Sequence, residues 1–213
     1  MTCSTKYGEL VAHYESCLRA HGDNHRGVDW PNAADARTRY GIMLDVIRQT
    51  DLPVVRLLDL GCGASHLYQY LRDVKRDDVE YAGLDLSPEF VQLCQTKYPD
   101  RTFYCLDILD PAADVPTFDY AVMNGLFTEK RSLSFDEMWN YVQAMLARAF
   151  EIASVGIAFN VMSKHVDWER GDLFHVPLDL LAEHLTRQLS RHFVIRNDYG
   201  LYEYTVYVYH DRC

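Results

Sequence analysis

The chain has no apolar stretch long enough to cross a membrane, and its first thirty residues contain no long apolar core. A membrane-spanning helix needs about 20 consecutive apolar residues, and a secretory signal needs an apolar segment near the N-terminus. The sequence therefore predicts a cytoplasmic protein that has no membrane partner.

Paired cysteine motifs are also missing. The six cysteines are scattered through the chain without a Cys-x-x-Cys pair, which is typical of reduced thiols in the cytoplasm. Among the nine histidines, His21 and His25 have the spacing of one helix face, but Gly22 and Asp23 lie between them. A zinc pair is not expected there, and no metal site is predicted.

Basic residues are few relative to acidic ones. The 213-residue chain has 21 lysines and arginines against 31 aspartates and glutamates, a formal charge of −10, and no run of basic residues. Such a surface repels phosphate backbones, so no nucleic-acid partner is expected. The length and the 48% apolar content fit one globular domain with a substantial core.

The stretch Val54–Ser65 carries the strongest functional signal. It begins with a short apolar run typical of a buried parallel strand and continues through Asp59 to Gly61 and Gly63, which permit a tight turn. A helical pattern follows from His66 to about Val74. A strand, a glycine turn and a helix N-terminus in this order predict a nucleotide-sized site at the carboxyl end of a sheet.

The rest of the chain alternates strands with helices and ends in a hairpin. Helical patterns are predicted over 6–20, 33–49, 88–97, 135–152 and 178–189, with Ser87 and Ser134 as N-caps of the third and fourth. Further strands are predicted over 79–84, 101–106, 118–123, 155–161, 193–196 and 202–210. Only a short turn separates the last two strands, so they should pair antiparallel. This pattern predicts an α/β protein with a mixed seven-stranded sheet covered by helices.

These motifs resemble those of the class I S-adenosylmethionine (SAM) methyltransferases. Motif I of that family is an acidic residue followed by Gly-x-Gly-x-Gly, and Ser65 stands here at the third glycine. Asp85 ends the second strand and Asp107 follows the third, in the order of that family. The resemblance implies a Rossmann-like fold with the last strand antiparallel beside the fifth and helices on both faces. Residues 1–50 would form an N-terminal helical cap and residues 51–213 the SAM-binding core.

The resemblance also implies a set of cofactor contacts. Asp85 would bind the ribose, Asp107 would face the adenine amino group, and the glycine turn with Asp59 would receive the amino-acid portion. Trp30, in a polar loop of the cap, could approach the sulfonium by cation–π attraction or could plug the cap onto the core. The predicted SAM contacts are Trp30, Asp59, Gly61, Cys62, Gly63, Asp85, Leu86, Asp107, Ile108 and Asn124.

The segment 160–177 is long for a connection in a compact α/β domain and is predicted to be a lid. It follows the fifth strand, so we expect it to close over SAM together with the cap. The candidate catalytic residues are His165 and His175 in this segment, with Asp167 and Asp172 as further possible bases, and Asn124 after the fourth strand.

The hypothesis is methyl transfer from SAM to an oxygen or nitrogen nucleophile of a small molecule. Two alternatives stay open: a SAM-consuming cyclase or lyase that releases methylthioadenosine, and an inactive SAM-binding partner protein. A nicotinamide-dependent reductase is disfavoured because His66 stands where its fingerprint needs glycine. The oligomeric state is not predicted.

The charge balance makes a direct prediction. The protein should not retain a labelled DNA duplex or a labelled single-stranded RNA at physiological salt, because the chain has no cluster of cations to release phosphate counterions. Fluorescence anisotropy should stay flat through the micromolar range. A salt-dependent rise would reveal a basic patch formed only on folding.

Overall fold

A computed structural model describes residues 7–49 and 52–211. Lys6 and the proposed boundary at residues 50 and 51 lie outside these ranges. The helices are α1 (Gly8–His21), α2 (Ala33–Leu44), α3 (His66–Asp73), α4 (Pro88–Lys97), α5 (Phe135–Ile152) and α6 (Leu178–His184). The strands are β1 (Val55–Leu60), β2 (Val79–Asp85), β3 (Thr102–Cys105), β4 (Phe118–Phe127), β5 (Ala153–Ser163), β6 (His175–Val176), β7 (His192–Arg196) and β8 (Glu203–Tyr209). None of the helices within the described residues is long and apolar enough to span a membrane.

The strands form one mixed sheet in the order β3-β2-β1-β4-β5-β8-β7. The first five strands in this order run parallel, and β8 lies antiparallel between β5 and β7. The predicted seven-stranded sheet with an antiparallel last strand beside the fifth is therefore confirmed. The short strand β6, which pairs with the end of β5, is an addition that the sequence pattern did not indicate.

Two apolar cores lie on opposite faces of the sheet. Leu58 and Leu60 of β1 belong to the core that includes α5 and α6, whereas Val55 and Leu57 belong to the core that includes α2, α3 and α4. This division follows from the two-residue period of a strand, which sends successive side chains to opposite faces. Helices therefore cover both faces, as the fold class requires.

Both predicted N-caps are confirmed. The Ser87 hydroxyl accepts from the Phe90 backbone N–H and Pro88 occupies the first helical position of α4. Ser134 and Glu137 form a reciprocal capping box at the start of α5. These bonds satisfy backbone N–H groups that have no partner inside their helices.

The middle of β4 differs from the sequence prediction. The Asn124–Gly125 pair indicated a turn after residue 123, but β4 continues to Phe127, which pairs with Val161 of β5. The strand register shifts between Met123 and Phe127, and Gly125 adopts φ 82° at this irregularity. Pairing with β5 extends the strand past a local turn signal, since ladder bonds and burial outweigh local preference.

The segment 160–177 is more ordered than a free lid. Its first four residues complete β5, and His175 and Val176 form β6. Leu173 forms an isolated bridge with Glu129, and the carbonyl of Asp172 accepts from the backbone N–H groups of Lys130 and Arg131. The segment therefore folds back onto the connection between β4 and α5.

The central position of β8 gives a stability prediction. Val206 of β8 is completely buried, whereas Val194 of neighbouring β7 is 42% exposed. Val206→Ala should lower the free energy of unfolding by about 2 kcal/mol, because it removes two buried methyl groups and leaves a cavity. Val194→Ala is the matched control, and urea denaturation of both variants measures the difference. Equal losses would mean that β8 does not form the packed centre of this part of the sheet.

Candidate active site

The turn after β1 has a backbone that favours glycine. Gly61 and Gly63 adopt φ 72° and φ 50°. A Cβ atom at Gly61 would lie 2.9 Å from a methyl carbon of Leu126, and one at Gly63 would lie 3.2 Å from a methyl carbon of Val28. Ser65 adopts φ 56° as well, so it takes the left-handed conformation expected for the third glycine of the motif. Its buried hydroxyl lies 3.0 Å from the Sγ of Cys94.

The Asp85 carboxylate joins this turn to the end of β2. Its Oδ2 accepts from the Gly63 backbone N–H and its Oδ1 accepts from the Ser87 N–H, each at 2.9 Å. Burial raises the pKa of Asp85, and these backbone N–H groups oppose the rise. Each carboxylate oxygen can accept a further hydrogen bond, which suits a ligand that offers two hydroxyl groups.

Asp59 is buried at the end of β1. It is 3% exposed, and its Oδ2 accepts from the Tyr81 hydroxyl at 2.8 Å. Burial raises the pKa of Asp59 to about 7, although the Tyr81 bond lowers it. The carboxyl group therefore titrates near neutrality instead of in the acid range.

A cavity of about 1150 Å³, a volume that includes open solvent at its mouth, lies at the carboxyl ends of β1, β2 and β4. This is where open α/β sheets bind ligands. All ten residues that the sequence predicted as SAM contacts line it: Trp30, Asp59, Gly61, Cys62, Gly63, Asp85, Leu86, Asp107, Ile108 and Asn124.

The opposite wall of the cavity is largely α1, the first helix of the predicted cap, but sequence reasoning named none of its residues as contacts. This wall includes Tyr7, which directly precedes α1, and Leu10, Val11 and Tyr14 of α1. The Tyr7 ring packs on Tyr141 of α5 with ring centroids 4.0 Å apart. The apolar face of the N-terminal helix was visible in the sequence, but its location over the cavity depends on tertiary packing.

Trp30 packs against Gly125, the residue after Asn124, and all three line the cavity. The Trp30 indole lies so close to Gly125 that a Cβ there would be 2.5 Å from its Cζ2 atom. The Oδ1 of Asn124 is buried, and no hydrogen-bond partner for it exists among the described residues. A buried acceptor without a partner is costly, so this oxygen is suited to a ligand that donates hydrogen bonds.

The two histidines predicted as catalytic candidates do not line the cavity. His175 is 5% exposed; its Nδ1 lies 2.6 Å from the Ser163 carbonyl and its Nε2 accepts from the Arg170 N–H. The Nδ1 bond holds His175 to the end of β5 and the Nε2 bond is internal to the segment, so both ring nitrogens have partners away from the cavity. His165 is exposed to solvent. The expectation that segment 160–177 meets the cap over the cavity is not supported by this arrangement.

The two carboxylates considered as further bases are also engaged elsewhere. Asp167 accepts from the Tyr202 hydroxyl and Asp172 pairs with Arg170. Neither residue lines the cavity.

His13, Cys17 and Asp29 are close enough together to be considered as metal ligands. Arg131 donates to Nδ1 of His13 at 2.8 Å, so Nε2 carries the proton that is bonded to Asp29 at 2.7 Å. Neither ring nitrogen then has a free lone pair for a metal. The cluster instead ties α1 to the loop before α2 and to the β4–α5 connection.

The sequence matches known methyltransferases. A family model described as a methyltransferase domain matches residues 58–151. The chain is 32% identical over 156 residues to Rv1506c of Mycobacterium tuberculosis, which is provisionally named a methyltransferase, and the match covers 70% of this chain and 90% of that protein.

Solved methyltransferase structures share the fold. Magnesium protoporphyrin IX methyltransferase from Synechocystis PCC 6803, with bound SAM, aligns over 99% of this chain and 100% of its own, with TM-score 0.65 and 14% identity. The 1,6-didemethyltoxoflavin-N1-methyltransferase of Burkholderia thailandensis, with S-adenosylhomocysteine, aligns over 98% and 92%, with TM-score 0.60 and 17% identity. Together with the sequence matches and the glycine turn, this fold identifies the chain as a member of the class I SAM-dependent methyltransferases, with SAM as its cofactor.

Proposed function

We propose that this protein transfers the methyl group of SAM to an oxygen or nitrogen atom of a small molecule. The observation that carries the proposal is the cavity between the sheet edge and α1, which is lined by every predicted cofactor contact. The helix and the Trp30 loop cover this cavity, which favours an acceptor small enough to enter beneath them. Two enzymes of similar fold are named for small-molecule acceptors, magnesium protoporphyrin IX and 1,6-didemethyltoxoflavin.

The residues present fit the cofactor. Asp85 would hold the ribose hydroxyls with the acceptor capacity that its two backbone bonds leave free. Asp107 lines the cavity and accepts one bond, from the Leu109 N–H at 2.9 Å, so it can also accept from the adenine amino group. The unpartnered Oδ1 of Asn124 would accept from the ammonium group of the amino-acid portion, beside the glycine turn.

SAM supplies a methyl carbon that its sulfonium already activates for in-line displacement. The protein's task is to align the nucleophile and to exclude water. Tyr14 and the apolar side chains of α1 form the cover that excludes water. Burial raises the pKa of the Tyr14 hydroxyl, so it keeps its proton and remains a neutral part of this cover. No base is needed if the nucleophile is a neutral amine or is already deprotonated.

The division into an N-terminal cap (1–50) and a core (51–213) is part of this proposal. Several contacts hold α1 across the cavity. Glu15 accepts from the Ser87 hydroxyl at 2.7 Å, His13 accepts from Arg131, and Tyr7 packs on Tyr141. The helix therefore reaches from the start of α4 to the β4–α5 connection and to α5.

The free thiols of Cys17, Cys62, Cys94 and Cys105 support a reducing, cytoplasmic location.

The reaction is tested by product analysis after incubation with methyl-labelled SAM, with and without the small-molecule fraction of a cell extract. The proposal expects adenosylhomocysteine and a labelled small molecule only when extract is present. Methylthioadenosine formed from SAM alone would favour a cyclase or lyase instead. Binding of SAM with no turnover in any extract would favour an inactive partner protein.

Asp85 should dominate cofactor affinity. Asp85→Asn should weaken SAM binding by about 2 kcal/mol, roughly 30-fold, because charge-assisted bonds to the ribose become neutral ones. Calorimetric titration measures this, and Asp114→Asn, a change at a carboxylate that does not line the cavity, is the control. Unchanged SAM affinity in Asp85→Asn would remove Asp85 from the site.

The raised pKa of Asp59 predicts a pH-dependent stability. The folded protein binds this proton up to about pH 7, whereas an unfolded aspartate, whose pKa has its ordinary value of 3.8, has already lost it. The contribution of Asp59 to stability is therefore fully present below the unfolded pKa and declines as the pH rises to about 7, by a few kcal/mol in total.

Urea denaturation from pH 4.5 to pH 8 tests this expectation. The decline should be smaller in Asp59→Asn than in the wild type, and Asp114→Asn should follow the wild type. Parallel profiles for Asp59→Asn and the wild type would show that another group controls the pH dependence.

A further inference from the structure

A buried polar network links the last strand of the sheet to the Asn124 end of the cavity. This network is called here the Arg39 network, and its members are Trp30, Arg39, Gly125, Asn160 and Glu203. They come from the loop before α2, from α2 itself and from strands β4, β5 and β8. Of these residues only Trp30 and Gly125 line the cavity.

Hydrogen bonds connect four of the members in a row. Nε of Arg39 lies 3.0 and 2.9 Å from the two carboxylate oxygens of Glu203. The side-chain amide of Asn160 donates to Glu203 at 3.0 Å, and its oxygen accepts from the backbone N–H of Gly125 at 2.7 Å. Asn160 is completely buried, Glu203 is 1% exposed and the Arg39 side chain is 11% exposed.

Trp30 closes the network into a ring. The Arg39 guanidinium carbon lies 4.1 Å from the centroid of the indole, and the indole also contacts Gly125. Gly125 has φ 82°, and it has no Cβ that would collide with the indole. Any movement of Arg39 would therefore affect both Trp30, directly, and Gly125, through Glu203 and Asn160.

Stability alone does not account for this arrangement. Removing an arginine and a carboxylate from water costs several kcal/mol each, and apolar residues of similar size often stabilise a protein as well or better. Burial raises the pKa of Glu203, and Arg39 opposes that rise. Nη1 of Arg39 is buried without a hydrogen-bond partner among the described residues, which adds a further cost. What the network provides is directional bonding, which apolar packing lacks.

We propose that Arg39 is a positioning residue of the active site, which holds the Trp30 indole and the Asn124–Gly125 irregularity of β4 in the geometry that receives the amino-acid end of SAM. The guanidinium occupies one face of the indole, so that face serves Arg39 and not the sulfonium. This inference rests on the proposed function, because it takes the cavity to be the SAM site.

The test uses the full chain with Trp139→Phe and Trp168→Phe. Because the sequence has three tryptophans, Trp30 is then the only one left to report by fluorescence. The main variant combines Arg39→Met with Glu203→Leu, which leaves no unpaired buried charge and so avoids the usual cause of unfolding. Arg39→Lys retains the charge without the planar fork. Adenosylhomocysteine affinity is measured by calorimetry, Trp30 exposure by acrylamide quenching, and stability by thermal unfolding.

The matched control is Arg196→Met with Asp45→Leu. Arg196 and Asp45 join the residue after α2 to β7 at 2.6 Å, but neither lines the cavity. We expect affinity to fall roughly tenfold or more and Trp30 quenching to rise in the Arg39 double variant, with both unchanged in the control. In Arg39→Lys, both the adenosylhomocysteine affinity and the Trp30 quenching should lie between those of the wild type and the double variant.

Adenosylhomocysteine affinity within about twofold of the wild type and unchanged quenching in the folded double variant would overturn the inference, whatever happens to thermal stability. Failure of the double variant to fold while Arg39→Lys keeps full affinity and normal quenching would do the same. Failure of the wild type itself to bind SAM or adenosylhomocysteine would instead reject the proposed function.

Discussion

The hydrogen bond from the Gly63 N–H to the Asp85 carboxylate is the constraint on which the cofactor site depends. It joins the turn after β1 to the end of β2, so two neighbouring parallel strands end at one polar point. The Ser87 N–H, at the start of α4, bonds to the same carboxylate. The left-handed backbone at Gly61, Gly63 and Ser65 lets the turn curve around this point. These bonds place the Asp85 carboxylate in the wall of the cavity.

Placing carboxylates beside a covered cavity has an electrostatic cost. Burial raises the pKa of both Asp59 and Asp85, and backbone N–H groups or the Tyr81 hydroxyl oppose it only in part. A cationic cofactor that also donates hydrogen bonds relieves this cost when it binds. The same reasoning applies to the unpartnered oxygen of Asn124. The fold leaves the hydrogen-bonding capacity of these polar groups incompletely satisfied, and this makes the site suitable for SAM.

Elements distant in sequence complete the site from outside. Contacts such as those of His13 and Glu15 bring α1 over the cavity, and the Arg39 network reaches from β8 to β4. The segment 160–177 does not contribute to the cavity, because β6 and the bridge at Leu173 bind it to β5 and to the β4–α5 connection. The N-terminal part of the chain covers the cavity.

The sequence by itself determined the order of the six α-helices and of every strand except β6, the two N-caps, and ten residues that line the cavity. Glycine turns, carboxylates at strand ends and apolar periodicity are local signals, and parallel strands bring their carboxyl ends to one edge wherever they pair. Tertiary structure decided the rest. The continuation of β4 through Asn124 and Gly125 depends on pairing with β5, and the role of His175 depends on a carbonyl twelve residues away. The bond between Arg39 and Glu203 joins residues 164 positions apart, and nothing in either neighbourhood signals the other. Such contacts are fixed by packing across the whole sheet, which no local pattern records.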